Sequence, residues 1–370
     1  MLALRGGGDL VALWAQLASL VELVAGVALA GLGPGLAVYV ARTSQLERQR
    51  ELLREAIKIG LPIALTAAVL AGISAFIVPS EGLAPGVVAL AAAIGWMSVI
   101  PGLVGNLWLG QQRRGRLLAL TAASALLVLA AALIAPPPLV LVSLLAVQAI
   151  PALVLGFVGH PAARDGRFRS RSHPLRRYVL PSIAIGILSP GSILLARAIV
   201  GESLSWHEAG VLQALWRISD WVAGFAAGVL SVYFLPQLAA AREAGRFGEF
   251  VRRAAASVLL PSAIVLSAAL VLQRPLLAML YDEKFGASNA AAALVFGGSL
   301  VRIASWIPLY GLYAARATRA IAIGEVFSLP LFALLLFLAR DHLTLELVGV
   351  LWVASYLAYL VFNTWALRRL

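Results

Sequence analysis

The chain has no cysteine among its 370 residues. That excludes disulfides and thiolate metal sites. Lysine is almost missing: only Lys58 and Lys284 occur, and neither stands in a G-x-x-x-x-G-K-[ST] loop, so ATP hydrolysis by a P-loop is excluded as well. Four histidines, His160, His173, His207 and His342, show no pair at ligand spacing, and no metal or cofactor is expected. Charge is scarce at 12% of residues, against roughly a quarter in soluble domains.

Apolar residues fill the space that charge leaves. The chain is 61% hydrophobic, with a mean hydropathy of +0.93. This is the composition of a polytopic, all-α membrane protein. A net charge of +12 would suit nucleic acid, but the basic residues lie in loops between apolar runs, where membrane topology explains them. No nucleic-acid partner is expected.

Hydropathy predicts about eleven spans, since roughly 20 apolar residues cross a bilayer. They run near 10–40, 59–78, 86–110, 117–135, 139–159, 178–199, 209–238, 254–272, 290–315, 320–339 and 347–367. Loop arginines alternate from side to side at every connection. One side holds Arg42, Arg113, Arg164, Arg252 and Arg319 with their neighbours; the other holds only Arg5, Arg274, Lys284 and Arg340. The positive-inside rule then predicts an outside N-terminus and a cytoplasmic C-terminus. The organisation expected is an N-terminal bundle over 1–159, a basic cytoplasmic linker over 160–177 and a C-terminal bundle over 178–370. Within these, Ser44-x-x-Glu47 reads as a capping box. The Gln273–Asn289 connection carries Leu276, Leu277 and Leu280, which suit an interfacial turn. Ten prolines inside spans, among them Pro34, Pro101, Pro261, Pro308 and Pro330, predict kinks.

One stretch organises the rest. Val211–Leu238 is long enough to span, yet carries Arg217 and Asp220 near its middle. A charge at that depth costs about 2.5–3.5 kcal/mol on insertion scales, so it faces a partner or water. The stretch has a twin: a shift of 198 residues lays Glu22 to Ala28 on Asp220 to Ala226, with an acid and Val-Ala-Gly in common, and Leu61-Pro62 falls within one residue of Leu260-Pro261. Such a match suggests duplication. It also predicts that a first span is missing, because the run at 178–199 maps to or before Met1.

The ionisable residues in or near spans are Glu22, Arg197, Arg217, Asp220, Arg302 and Glu325. Arg217 and Asp220 share a helix face, so they are read either as a self-neutralising pair or as an anion site oriented by the acid. Arg302 has no acid within a turn and needs a partner from another helix or from a ligand. Arg197 is placed to bind an anion or to snorkel. Glu22 and Glu325, with Asp220, are candidates for charge pairing or coupling. Gln213 and Asn106 are candidates for lining a cavity or for interhelical hydrogen bonding, and Trp216, Trp306, Tyr233 and Tyr310 for lining a cavity, for core packing or for the interfacial aromatic belt.

Leu212-Gln213-Ala214-Leu215-Trp216-Arg217-Ile218-Ser219-Asp220 and Ser231-Val232-Tyr233-Phe234-Leu235-Pro236-Gln237-Leu238 together resemble a signature of the Wzx-type O-antigen and lipid III flippases. Arg302 to Trp306, Tyr310 and Gly324-Glu325-Val326-Phe327 resemble a second block of the same proteins. The resemblance implies the multidrug/oligosaccharidyl-lipid/polysaccharide (MOP) exporter fold, two pseudo-symmetric bundles around a central cavity. It implies an undecaprenyl-pyrophosphate-linked oligosaccharide as substrate, Arg217, Arg302 and Arg197 as its pyrophosphate contacts, and the bacterial inner membrane as location. Polysaccharide polymerase and chain-length proteins are the further partners it suggests. A drug/cation antiporter, a membrane-embedded glycan polymerase or ligase, and an inactive scaffold are the alternatives. The enzyme alternative lacks the long outer loop with paired acids it would need.

Overall fold

A computed structural model describes residues 2–41, 43–77, 83–136, 139–159, 175–176, 179–235, 237–238, 247–281, 285–315 and 317–369. Arg42, the loop arginines at 242 and 246, Lys284 and nearly all of the basic 160–177 stretch, Arg164 included, lie outside these residues. The described residues are helical, without strands: α1 (Leu2–Ala41), α2 (Leu46–Ile77), α3 (Pro85–Met97), α4 (Val99–Gly110), α5 (Arg114–Ile134), α6 (Val140–Gly159), α7 (Val179–Ser203), α8 (Trp206–Val229), α9 (Phe247–Val271), α10 (Gln273–Leu280), α11 (Asn289–Ala314), α12 (Thr318–Val326), α13 (Leu329–Ala339) and α14 (Leu345–Arg368). Eight helical stretches among them are long and apolar enough to cross a membrane, and a shorter apolar helix covers Val140–Leu155. The all-α, multi-pass class is as expected; the figure of eleven spans is not reached among the described residues.

Proline explains where spans break. Two predicted spans are each two helices end to end. α3 stops at Met97, four residues before Pro101, and α12 stops at Val326, four residues before Pro330. A proline ring collides with the carbonyl four residues back and has no N–H to give it. Six other prolines, Pro34, Pro62, Pro151, Pro190, Pro261 and Pro308, sit inside unbroken helices. α10 is a short helix at the start of the Gln273–Asn289 connection, where Leu276, Leu277 and Leu280 had suggested an interfacial turn. α2 begins at Leu46, two residues past Ser44. Its first turn is tied by the Gln49 side chain, which donates to the Thr43 carbonyl at 2.7 Å, so the capping box itself does not form.

The chain divides into two compact units, Leu13–Leu194 and Met1–Ala12 with Leu195–Leu370. In the first, α1 packs on α3 and α4 through glycines. A Cβ on Gly95 would meet Val24, one on Gly102 would overlap Leu29, and one on Gly110 would lie 2.6 Å from the Ala37 carbonyl. Small residues at this spacing let apolar helices touch backbone to backbone, where packing rather than water expulsion drives association. α1 also meets α7 at Gly26 and Gly186, with no room for a Cβ on Gly186. The core fills around Leu32, Leu36, Leu103 and Val99, and around Leu17, Val24, Ile94 and Leu145.

In the second unit, α8, α11 and α14 form the centre. Gly210 of α8 lies against the backbone of Gly8. Ser299 donates to Ser219 at 3.0 Å, Arg302 to Asp220, and Tyr310 to the Ala227 carbonyl at 3.4 Å. These contacts advance the same way along both helices, so α8 and α11 run parallel. α11 and α14 are parallel too, with Leu294 beside Gly349, Gly298 beside Trp352, and Asn363 donating to the Ser305 carbonyl. Helices one span apart must be parallel in a chain that crosses the membrane at every span. α9 and the α12–α13 pair are those intervening spans.

Candidate functional site

α8 positions the charged centre. Ser205 caps it, its side chain accepting from the Glu208 N–H at 3.1 Å. Burial then sorts the faces. Gln213, Trp216 and Ser219 are buried, whereas Arg217, Trp221 and Phe225 form an exposed stripe at four-residue spacing.

Asp220 does not pair with Arg217. It accepts from Nη2 of Arg302 on α11 at 2.8 Å. The Arg302 side chain is 14% exposed and that of Asp220 36%, and the guanidinium also lies over Trp306 at 5.1 Å and Trp352 at 5.8 Å. The carboxylate and two ring faces thus compensate one embedded cation. Arg302 has the interhelical partner that its solitary position demanded.

Arg217 is left exposed. It makes no hydrogen bond or ion pair among the described residues. Its charge reaches Tyr281, at the end of α10. Burial pushes the Tyr281 phenol above its ordinary range, and the Arg217 charge draws it partly back. Tyr281 stacks on Phe285 at 5.1 Å, and His207 lies 5.8 Å from that second ring. Neither Tyr281 nor Phe285 was among the residues expected. Only their aromatic character in a loop after α10 could have drawn notice, and nothing in the sequence ties them to Arg217.

The remaining candidates scatter. Trp216 is 3% exposed and packs between Phe332 and Trp352, so it is core rather than cavity wall. Gln213 is buried beside it on α8. Trp306 lies half-buried under Arg302, Tyr310 anchors α11 to α8, and Tyr233 is exposed in a π-helical turn, Leu230–Phe234. Arg197 is half-buried on α7. Asn106 lies in the other unit and donates back to the Gly102 carbonyl at 2.8 Å. With Ser98, Thr121, Ser124 and Gln148 it lines a cavity of about 410 Å³.

The two repeat-related acids differ. Glu22 is exposed and has no hydrogen bond or ion pair among the described residues. The offset that carries Glu22 onto Asp220 carries Val104 onto Arg302, so the first unit has no matching arginine. Glu325, on α12, accepts from the Tyr359 hydroxyl at 2.7 Å. Tyr359 and Asn363 are buried below it on α14. No group of three or more metal-ligating side chains occurs among the described residues.

No protein-family model matches the chain. It is 24% identical over 246 residues to the lipid III flippases of Escherichia coli (strain K12) and Shigella flexneri, an alignment covering 61% of this chain and 58% of each relative. The chain therefore spans less than two thirds of these curated relatives. Among solved structures it is similar to a multidrug resistance MATE family transporter of the MOP superfamily in an inward-facing conformation, with a TM-score of 0.73 at 15% identity, covering 100% of this chain and 96% of that one. A MATE structure in complex with MaD5 gives 0.69 at 15% identity, over 100% and 91%. A MOP superfamily transporter from Pyrococcus furiosus, whose binding pocket is described as reversed in polarity, gives 0.62 at 14%, over 100% and 88%. The chain has the fold of the MOP transporters. The resemblance carried by Leu212–Asp220 and Ser231–Leu238 is borne out at that level, and the matched proteins are named as flippases and transporters rather than enzymes.

Proposed function

We propose that this protein flips an undecaprenyl-pyrophosphate-linked oligosaccharide from the cytoplasmic to the outer leaflet of the bacterial inner membrane by alternating access, with Arg217 as the principal contact for the pyrophosphate. One observation carries the reading: Asp220 is committed to Arg302, so Arg217 keeps its charge on an exposed helix face. A planar guanidinium holds phosphate oxygens through two parallel N–H bonds and stays charged at any working pH. The lipid III flippases matched above support the substrate class. Energetics favour outward movement, because carrying an anion out across an inside-negative membrane gains about 2.3 kcal/mol per charge per 100 mV. In this reading Arg302 shapes the site through Asp220 and the tryptophans, Arg197 is an auxiliary cation, and Glu325 and Asp220 are candidates for coupling. The loop arginines support a cytoplasmic C-terminus.

A second reading, a drug/cation antiporter of the same superfamily, is favoured by one observation: Glu22 is an exposed acid without a pairing partner among the described residues. Gene deletion separates the two. The flippase reading expects lipid-linked oligosaccharide to accumulate on the inner leaflet and surface glycan to be lost. Unchanged surface glycan together with heightened sensitivity to cationic drugs would replace it with the antiporter.

A further inference from the structure

An apolar groove of about 520 Å³ runs between α8, α9 and α10. That volume is within the range of small-ligand pockets, roughly 300–1,000 Å³. Of its sixteen lining residues only two serines are polar; Ile218, Trp221 and Phe225 come from α8, Val265 from α9, and Leu276 and Leu280 from α10. The two aromatic rings are well exposed, Trp221 at 60% and Phe225 at 74%.

Arg217 stands at one end of this groove on two separate counts. Along α8 it begins the exposed stripe that continues through Trp221 and Phe225, and Ile218 beside it is part of the lining. Along α10, Leu280 lines the groove and the next residue, Tyr281, lies close enough to sense the Arg217 charge. A cation at the mouth of an apolar channel suits an amphiphile with an anionic head and a hydrocarbon tail. Zwitterionic lipids lack the charge match, and a water-soluble anion lacks the tail.

Resting on the flippase reading, we propose that the groove between α8, α9 and α10 holds the first isoprene units of the substrate's polyprenyl tail while Arg217 holds the pyrophosphate. The tail then stays bound to the protein during flipping instead of trailing free in the bilayer. It also sets a rule for substrates: a pyrophosphate-linked glycan without a polyprenyl chain binds weakly.

Photo-crosslinking of the full chain tests this. p-Benzoylphenylalanine replaces Val265 in the groove or, as control, Val361 on α14, which is 66% exposed. Each protein is placed in vesicles of phosphatidylethanolamine and phosphatidylglycerol with labelled undecaprenyl pyrophosphate. The proposal expects labelling at position 265 to exceed that at 361 about tenfold, a preference of about 1.4 kcal/mol. Unlabelled undecaprenyl pyrophosphate should compete it away, added phosphatidylglycerol should not, and Arg217→Gln should lower it. Ala269→Phe, which fills the groove, should lower both labelling and flipping while the melting temperature holds. Equal labelling at the two positions, or displacement by phosphatidylglycerol, overturns the groove assignment. If flipping by the unsubstituted chain persists in those vesicles, the flippase reading stands without it; loss of both flipping and labelling overturns the two together.

Discussion

Replacing Asp220 by Asn should weaken the second unit by about 2 kcal/mol. The figure follows from the pair's setting. Removing one partner of a fully buried ion pair costs about 3–5 kcal/mol, while fully exposed pairs contribute about 0–1. Here the N–O distance is 2.8 Å and the side chains are 14% and 36% exposed, so the cost lies between. Trp306 and Trp352 still face the guanidinium in the variant, which limits the loss. For a unit of this size 1 kcal/mol moves the melting temperature by roughly 2–4 °C, so a fall of about 4–8 °C is expected for purified protein in detergent. Arg302→Gln made together with Asp220→Asn leaves a neutral hydrogen bond and no unpaired charge. The double variant should therefore be more stable than the two single losses would give, with a coupling of about 1–3 kcal/mol. Strict additivity, or no loss in Asp220→Asn, would refute the pairing and return Asp220 to Arg217.

Other outcomes follow from the same geometry. Gly186→Ala should cost about 1–3 kcal/mol, because its Cβ would overlap the Gly26 backbone. Gly228→Ala, with open space around it, should instead gain about 0.5–1 kcal/mol; melting temperatures of the two variants check the contrast. Tyr359→Phe removes a hydrogen bond to a carboxylate and should cost about 1.5–3 kcal/mol. Glu325→Gln, which keeps an acceptor for the Tyr359 hydroxyl, should cost less in the same melts. Trp216→Ala should cost about 3–5 kcal/mol, as removal of a buried core ring, and a variant that melts normally but fails in transport would return Trp216 to the cavity wall.

The fold was legible where composition acts alone. Long apolar runs gave the helices, and the alternation of loop arginines anticipated the parallel course of α8, α11 and α14. Proline was legible only as a kink. Whether Pro101 ends α3 while Pro308 leaves α11 unbroken depends on what surrounds the freed carbonyl, and that is tertiary information. The site was legible as an inventory of residues, not as their pairing. Asp220 and Arg217 are three residues apart and look like partners; the partner that forms is 82 residues away on α11. Trp216 matched a flippase signature and was open to either cavity lining or core packing; α13 and α14 bring Phe332 and Trp352 around it and decide for the core. The groove was invisible because its residues are ordinary apolar side chains until α9 and α10 stand beside α8.

The central claim is that Arg217, unpaired among the described residues, is the cation that meets the pyrophosphate. Its most direct test is flipping of an undecaprenyl-pyrophosphate-linked sugar in vesicles containing the purified chain, or its Arg217→Gln or Arg217→Lys variant, each checked for an unchanged melting temperature. The account predicts that Gln abolishes flipping and that Lys, a point charge without the two-pronged fork, restores only part of it. Flipping at the wild-type rate by the Gln variant would contradict it.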